Sequence, residues 1–249
     1  MEKQVATAEA KNKAIAAQMP TGAWGTENVR SENILIPQVY LMQGQSKAVQ
    51  LEKAKVGEII ESVTGKVLGG PTKAFEFIPI STFDTFMVQR EEAPGDWKFL
   101  RTEKVTPANI KHKEQPNWLS VCPDTKKQLK WTYEIKFLVL PYDNYKNTLP
   151  YVLGFRSTSL RAGKALTNHF SNCRIDNVPP ASKVMKVSSN KVTKNGKTFS
   201  VYDVSEGPKT SPEEQLVAYK WFKEFQKGTT VVHEATDDVE TESADTTDY

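Results

Sequence analysis

Alternation between apolar and polar positions dominates the middle of this chain. From Phe75 to Val88 (FEFIPISTFDTFMV) the two kinds exchange places for much of the length, the period of a half-buried strand, with a break expected at Pro79. Trp131 to Leu140 (WTYEIKFLVL) reads as the strongest strand and Tyr151 to Arg156 (YVLGFR) as another. Ile34 to Met42 is apolar, but Pro37 predicts an edge or broken strand there. Glu58 to Leu68 predicts a hairpin about Thr64-Gly65, and Trp97 to Arg101 a short strand after the turn Pro94-Gly95-Asp96. Lys183–Asn190 and Lys197–Val204 flank Asn195-Gly196, the dipeptide best suited to a two-residue hairpin turn.

Helical spacing is rarer. Ser157 to Phe170 predicts a helix with a Ser or Thr cap, weakened by Gly163. Ser211-Pro212-Glu213-Glu214 opens a second: a capping Ser, Pro at the first helical position, and acids in the first turn. Leu216, Val217, Trp221, Phe222 and Phe225 give that helix its apolar face, and Gly228 closes it. The Ala-, Lys- and Gln-rich first nineteen residues have a weak apolar face and read as a loose arm. Residues 102–130, with three prolines, read as a long basic loop or a small insertion. The expected class is mainly β with two or three helices (α+β), a barrel or sandwich with elaborations and disordered termini. The expected division is an arm over 1–30, one β-rich domain over 31–230 and a tail over 231–249.

Charge changes this picture at the C-terminus. The last seventeen residues hold seven carboxylates (Glu234, Asp237, Asp238, Glu240, Glu242, Asp245, Asp248), no Lys or Arg, and end on Tyr249. All 33 Lys and Arg therefore precede them, leaving the rest of the chain at about +10. A basic body attracts a polyanion, and an acidic arm can compete for the same surface. No apolar run approaches a membrane span of about 20 residues, and no secretory signal opens the chain. With only Cys122 and Cys173, a reducing cytoplasm is expected.

Catalytic and cofactor chemistry finds little support. There is no GxxxxGK[ST], GxGxxG or GxSxG motif, and the acids of the body are scattered rather than clustered as a metal-dependent nuclease needs. His112, Cys122, His169 and Cys173 are the candidate zinc ligands, but no Cys-x-x-Cys pair supports such a site. No cofactor and no enzymatic activity are expected. Cations interleaved with aromatics remain, the combination that follows phosphates and stacks on unpaired bases. The candidate cations are Arg101, Lys130, Lys136, Arg156, Arg161 and Lys164, and the candidate stacking rings are Trp97, Phe99, Trp131, Tyr133, Tyr142 and Tyr145. In a strand Trp131, Tyr133 and Ile135 share one face, and Lys130, Thr132, Glu134 and Lys136 the other. Aromatics in alternating strands are core more often than base platforms, Trp131 and Tyr133 in particular. A further basic stretch, Lys183 to Tyr202, places Lys186, Lys191, Lys194 and Lys197 near a hairpin tip.

A basic β-rich body followed by Asp237, Asp238, Glu240, Glu242, Asp245, Asp248 and a terminal aromatic, Tyr249, resembles the single-stranded DNA-binding proteins of tailed bacteriophages. The segments ENILIPQVYLMQG, SVTGKVLGG and GFRSTSLRAGKAL also look like parts of a phage-encoded family. The resemblance implies an oligonucleotide-binding (OB) barrel and sequence-independent binding of single-stranded DNA in phage replication or recombination. It further implies a tail that masks the DNA groove and docks replication or recombination partners, and residence in the cytoplasm of an infected host. A homo-oligomer is compatible with it, and no membrane partner is expected. Two other readings stay open: a phage structural or host-interaction protein without a DNA role, and a strand-annealing recombination protein.

Overall fold

Two long antiparallel strands, β4 (Phe75–Ala93) and β7 (Gln128–Pro141), form the spine of the molecule. Each outruns any single neighbour and takes two. On β4, β9 (Lys183–Lys194) pairs the start and β5 (Asp96–Lys104) the far half; on β7, β6 (Trp118–Val121) pairs the start and β8 (Tyr151–Arg156) the later part. Outside β9 lies β10 (Lys197–Lys209), and beyond β8 lie β1 (Gln38–Leu41), β2 (Ile59–Glu61) and β3 (Val67–Gly69). The computed structural model describes residues 36–110 and 118–226. Among these, ten strands form one sheet, eight in the order β10-β9-β4-β7-β8-β1-β2-β3 with β5 added on β4 and β6 on β7, antiparallel except where β1 runs parallel to β8.

The class expected from the sequence holds: mainly β, with helices α1 (Lys47–Gln50), α2 (Leu160–Ile175) and α3 (Pro212–Gln226). Closure into an OB-like barrel does not. The strand order ends at β10 and β3, which do not pair, so the sheet is open. Side chains and loops join its two sides instead. The Gln43 amide donates to the Ser200 carbonyl (2.9 Å) and accepts from the Ser200 N–H (3.0 Å), and Ser189 N–H donates to the Gly70 carbonyl (3.3 Å). With β3 only three residues long, there is too little strand there for a ladder to form.

Alternation divides the core between the two faces of the sheet. Phe77, Phe86, Val88, Trp131, Tyr133, Ile135, Phe137 and Phe155 fill one face, closed by Ala162 and Leu166 of α2. Gly163, expected only to weaken this helix, lets it lie close to the sheet: a Cβ there would stand 2.7 Å from Phe155 Cβ. On the opposite face Ile78, Ile80, Leu138, Leu140 and Val152 pack beneath Val217, Ala218, Trp221, Phe222 and Phe225 of α3. The start of α3 is a reciprocal capping box: Ser211 Oγ accepts from Glu214 N–H (3.3 Å), and the Glu214 carboxylate accepts from Ser211 N–H (2.6 Å). Leu216 is 53% exposed, because the buried stripe runs through Ala218 instead.

Three further expectations change. Pro37 does not mark an edge, because β1 starts just after it and sits between β8 and β2, with the Pro37 carbonyl accepting from Val152 N–H (2.8 Å). Residues 102–130 are not one loop; they contain the end of β5, β6 and the start of β7. The break near Pro79 is a bulge within a continuous strand. The Asn195-Gly196 turn forms as expected, both residues at positive φ (51° and 75°), as a type I′ turn requires. The boundaries of the arm and the acidic tail fall outside the described residues. No helix among the described residues is long and apolar enough to cross a membrane.

Candidate functional site

The face of the sheet that carries α3 changes character along its length. Beneath the helix it is apolar. Past Phe83, which lies opposite Lys136 and packs its ring 5.6 Å from that of Phe225, it becomes polar and cationic. The register fixes its members. Lys130, Thr132, Glu134 and Lys136 of β7 stand opposite Gln89, Met87, Thr85 and Phe83 of β4. Across β8, Arg156 faces Glu134 and Gly154 faces Lys136; across β5, Thr102 faces Met87.

A bulge then brings two aromatic rings onto the same face. Val88 pairs with Arg101, but the next residue, Gln89, pairs with Phe99, so Leu100 is the extra residue and the alternation of β5 reverses there. Phe99 and Trp97 thereby join the Lys130 side, while Arg101 stays on the core side. Contacts agree: Lys130 Nζ lies 5.7 Å from the Trp97 ring centroid, and the Arg101 guanidinium 5.9 Å from that of Trp131. Phe99 is 37% exposed, and Leu119 of β6, opposite Lys130, is 51% exposed.

Polar groups in the middle of this face are buried. Lys136 is 3% exposed and pairs with Glu134 (3.3 Å); the Glu134 carboxylate lies over Gly154, where a Cβ would stand 2.4 Å from it. An Arg156 N–H reaches Met87 Sδ at 2.9 Å. Ser81 Oγ, Thr85 Oγ1 and Thr102 Oγ1 are buried with no hydrogen-bond partner among the described residues, and the register puts all three on this face. A hydroxyl withdrawn from water and left unmatched costs about 1–3 kcal/mol, so these three are a local cost to stability.

Five of the sequence-derived candidates thus share a face: Trp97, Phe99, Lys130, Lys136 and Arg156. Others lie elsewhere. Trp131 and Tyr133 are core residues, 9% and 8% exposed, both edge-on to Phe86, with the Trp131 indole N–H donating to Ser120 Oγ (2.9 Å). Their rings pack against the protein because their positions on β7 alternate with Lys130 and Thr132. Arg101 is exposed on the core side of β5 and is bridged to Glu103 (2.6 Å). Tyr142 and Tyr145 pack beside α3; the charge of Glu214 raises the Tyr142 hydroxyl above its ordinary pKa, and Lys146 sits 5.6 Å over the Tyr145 ring while bound to Glu213 (2.7 Å). Arg161 and Lys164 are exposed on α2.

The sequence reading missed Ser81, Thr85, Gln89 and Thr102. Extending the two-residue period of Phe86 and Val88 through Gln89 would have placed the β4 members, but the reversal at Leu100 leaves no trace in sequence. Of the zinc candidates, His112 lies outside the described residues. His169 donates through Nε2–H to the Pro180 carbonyl (2.9 Å), and Cys173 Sγ is 3.6 Å from that same nitrogen. Cys122 lies at the β6–β7 turn, its thiol pKa lowered chiefly by a hydrogen bond with the Thr125 side chain. Among the described residues no three His, Cys, Asp or Glu side chains group as a metal ion needs. The carboxylates Asp237, Asp238, Glu240, Glu242, Asp245 and Asp248, and Tyr249, are outside the described residues.

The sequence model of a family described as Pam3 phage gp34-like protein matches residues 4–232. No curated protein and no solved structure matches the chain.

Proposed function

The chain belongs to the Pam3 phage gp34-like family and is a phage protein; from that premise we propose that it binds single-stranded DNA without sequence preference, as a non-enzymatic component of phage replication or recombination. One observation carries this reading: a single sheet face gathers the rings of Trp97 and Phe99 with the cations Lys130 and Arg156. Cations neutralise phosphates and release counterions, and the two rings offer stacking surfaces to unpaired bases. An OB-like barrel is not needed for this chemistry; an open sheet presents one flat face to a strand equally well. The acidic C-terminal segment competes with DNA for this face. Supporting that assignment, α3 ends at Gln226 with Phe225 against Phe83, so the seven carboxylates follow from a point beside Lys136.

Titrating the full chain with oligo-dT at low salt should quench tryptophan emission, and Trp97→Phe should remove much of the quenching. Absence of any binding by the full chain or by a form ending at Gly228 would overturn the reading and favour a protein-binding phage component, for which exposed Leu119, Val121 and Phe99 around Lys130 offer an apolar rim. The form ending at Gly228 should bind oligo-dT more tightly than the full chain, by on the order of tenfold or about 1.4 kcal/mol. Equal affinities would refute competition by the acidic segment while leaving DNA binding intact.

A further inference from the structure

A second cationic surface lies away from the sheet face just described. β9 and β10 pair without interruption from Val187↔Val204 to Lys194↔Lys197, but only their first half is held by the rest of the protein. β4 pairs β9 at Met185–Val187, and the bonds of Ser189 to Gly70 and of Ser200 to Gln43 mark the last attachments noted along the ribbon. From Asn190 to Thr198 every residue is exposed. A two-stranded ribbon is at best marginally stable alone, so this extension is not explained by packing. It is held in shape by its type I′ turn and by a hydrogen bond between the Thr193 and Thr198 hydroxyls (2.9 Å).

Its charge is one-sided. Residues 177–202 contain five lysines and no acid. The two nearest the core have acidic partners, Lys183 with Glu206 and Lys186 with Glu76. The three on the projecting part are Lys191, Lys194 and Lys197. Pairing sorts them onto both faces: Lys191 beside Thr193, Thr198 and Ser200, and Lys194 with Lys197 beside Val192 and Phe199. The start of α2 adjoins the ribbon, since Tyr202 meets Phe155 (5.1 Å between ring centroids) and Phe155 lies against Gly163. Arg161 and Lys164 are exposed on the first turns of α2.

We infer that the β9–β10 ribbon is a second nucleic-acid contact, in which Lys191, Lys194 and Lys197 hold the phosphate backbone. The inference extends the DNA-binding reading and takes its ligand class from it. A projecting strand pair can lie along a single strand or enter the major groove of a duplex, and both present the same phosphate chemistry.

The test uses the full chain and the triple variant Lys191→Ala/Lys194→Ala/Lys197→Ala, with binding to labelled oligo-dT and to a duplex of equal length followed from 50 to 300 mM salt. All three positions are solvent-exposed, and a thermal melt confirms that the variant folds. For the single strand, losing three phosphate contacts should lower the log–log salt slope by about 2 and the affinity at 0.1 M salt roughly 100-fold. A comparable loss confined to the duplex also supports the ribbon contact and identifies its ligand as double-stranded. Unchanged affinity and slope for both ligands would overturn the inference while the sheet-face reading stands. So would an equal loss in a charge-matched variant elsewhere, Lys66→Ala/Lys220→Ala/Lys223→Ala, because the effect would then be net charge alone. If the unaltered chain binds neither ligand, the DNA-binding reading itself fails, and the ribbon inference with it.

Discussion

Replacing Phe137 by alanine is expected to destabilise the fold by about 3–5 kcal/mol, the range for removing a fully buried ring. Phe137 has no exposed surface and lies at the centre of β7, between Phe155 of β8 (5.7 Å between centroids, edge-on) and Phe170 of α2 (5.5 Å). Its neighbours have little room to collapse into the vacancy. Phe155 is pinned between Gly163 and Tyr202, and burial raises the Tyr202 hydroxyl pKa, so Tyr202 stays neutral and packed. Domains are commonly stable by only about 5–15 kcal/mol, so one substitution removes a large share. Urea denaturation should show a lower midpoint with an unchanged slope; a loss below about 1 kcal/mol would mean the core is looser than these contacts imply.

Lys136→Met has the second largest expected effect, and it couples stability to the candidate site. Methionine keeps the stem volume but leaves the Glu134 carboxylate, 12% exposed at its side chain, without its 3.3 Å partner. Removing one member of a buried pair costs about 3–5 kcal/mol, and Arg156 opposite Glu134 should hold this case near 3 kcal/mol. The double variant Lys136→Met/Glu134→Gln should recover most of that loss, since no buried charge is then stranded. If the double variant is as unstable as the single one, the pair is not the source of the effect. In DNA binding the double variant should match the unaltered chain, because Lys136 is buried against Glu134 and the net charge does not change.

Local patterns made much of the fold legible in sequence. Tyr151–Arg156, the Asn195-Gly196 turn and the Ser211-Glu214 cap are set by residues close in the chain, and each forms where its sequence places it. Sheet order was not legible, because it depends on which distant edges meet. β1, read as an edge because of Pro37, lies inside the sheet since its proline precedes the ladder. The site was legible by halves. The alternation of β7 placed Lys130, Thr132, Glu134 and Lys136 together, yet the same alternation sent Trp131 and Tyr133 into the core. Only the two-for-one pairing at Leu100 separates Phe99 from Arg101.

The parallel union of β1 with β8 carries a kinetic consequence. Gln38 meets Val152 and Val39 meets Leu153 across more than half the described chain, so the entropy of closing that loop must be met before the contacts return anything. The hairpins β4–β5 and β9–β10, by contrast, join neighbours. The β1–β3 segment should therefore assemble after the rate-limiting step. Val39→Ala should accelerate unfolding while leaving the refolding rate nearly unchanged, a φ-value near zero in a chevron measurement. Until that segment docks, the outer edge of β8 stands open to pairing with other chains, so refolding at high protein concentration should favour aggregation.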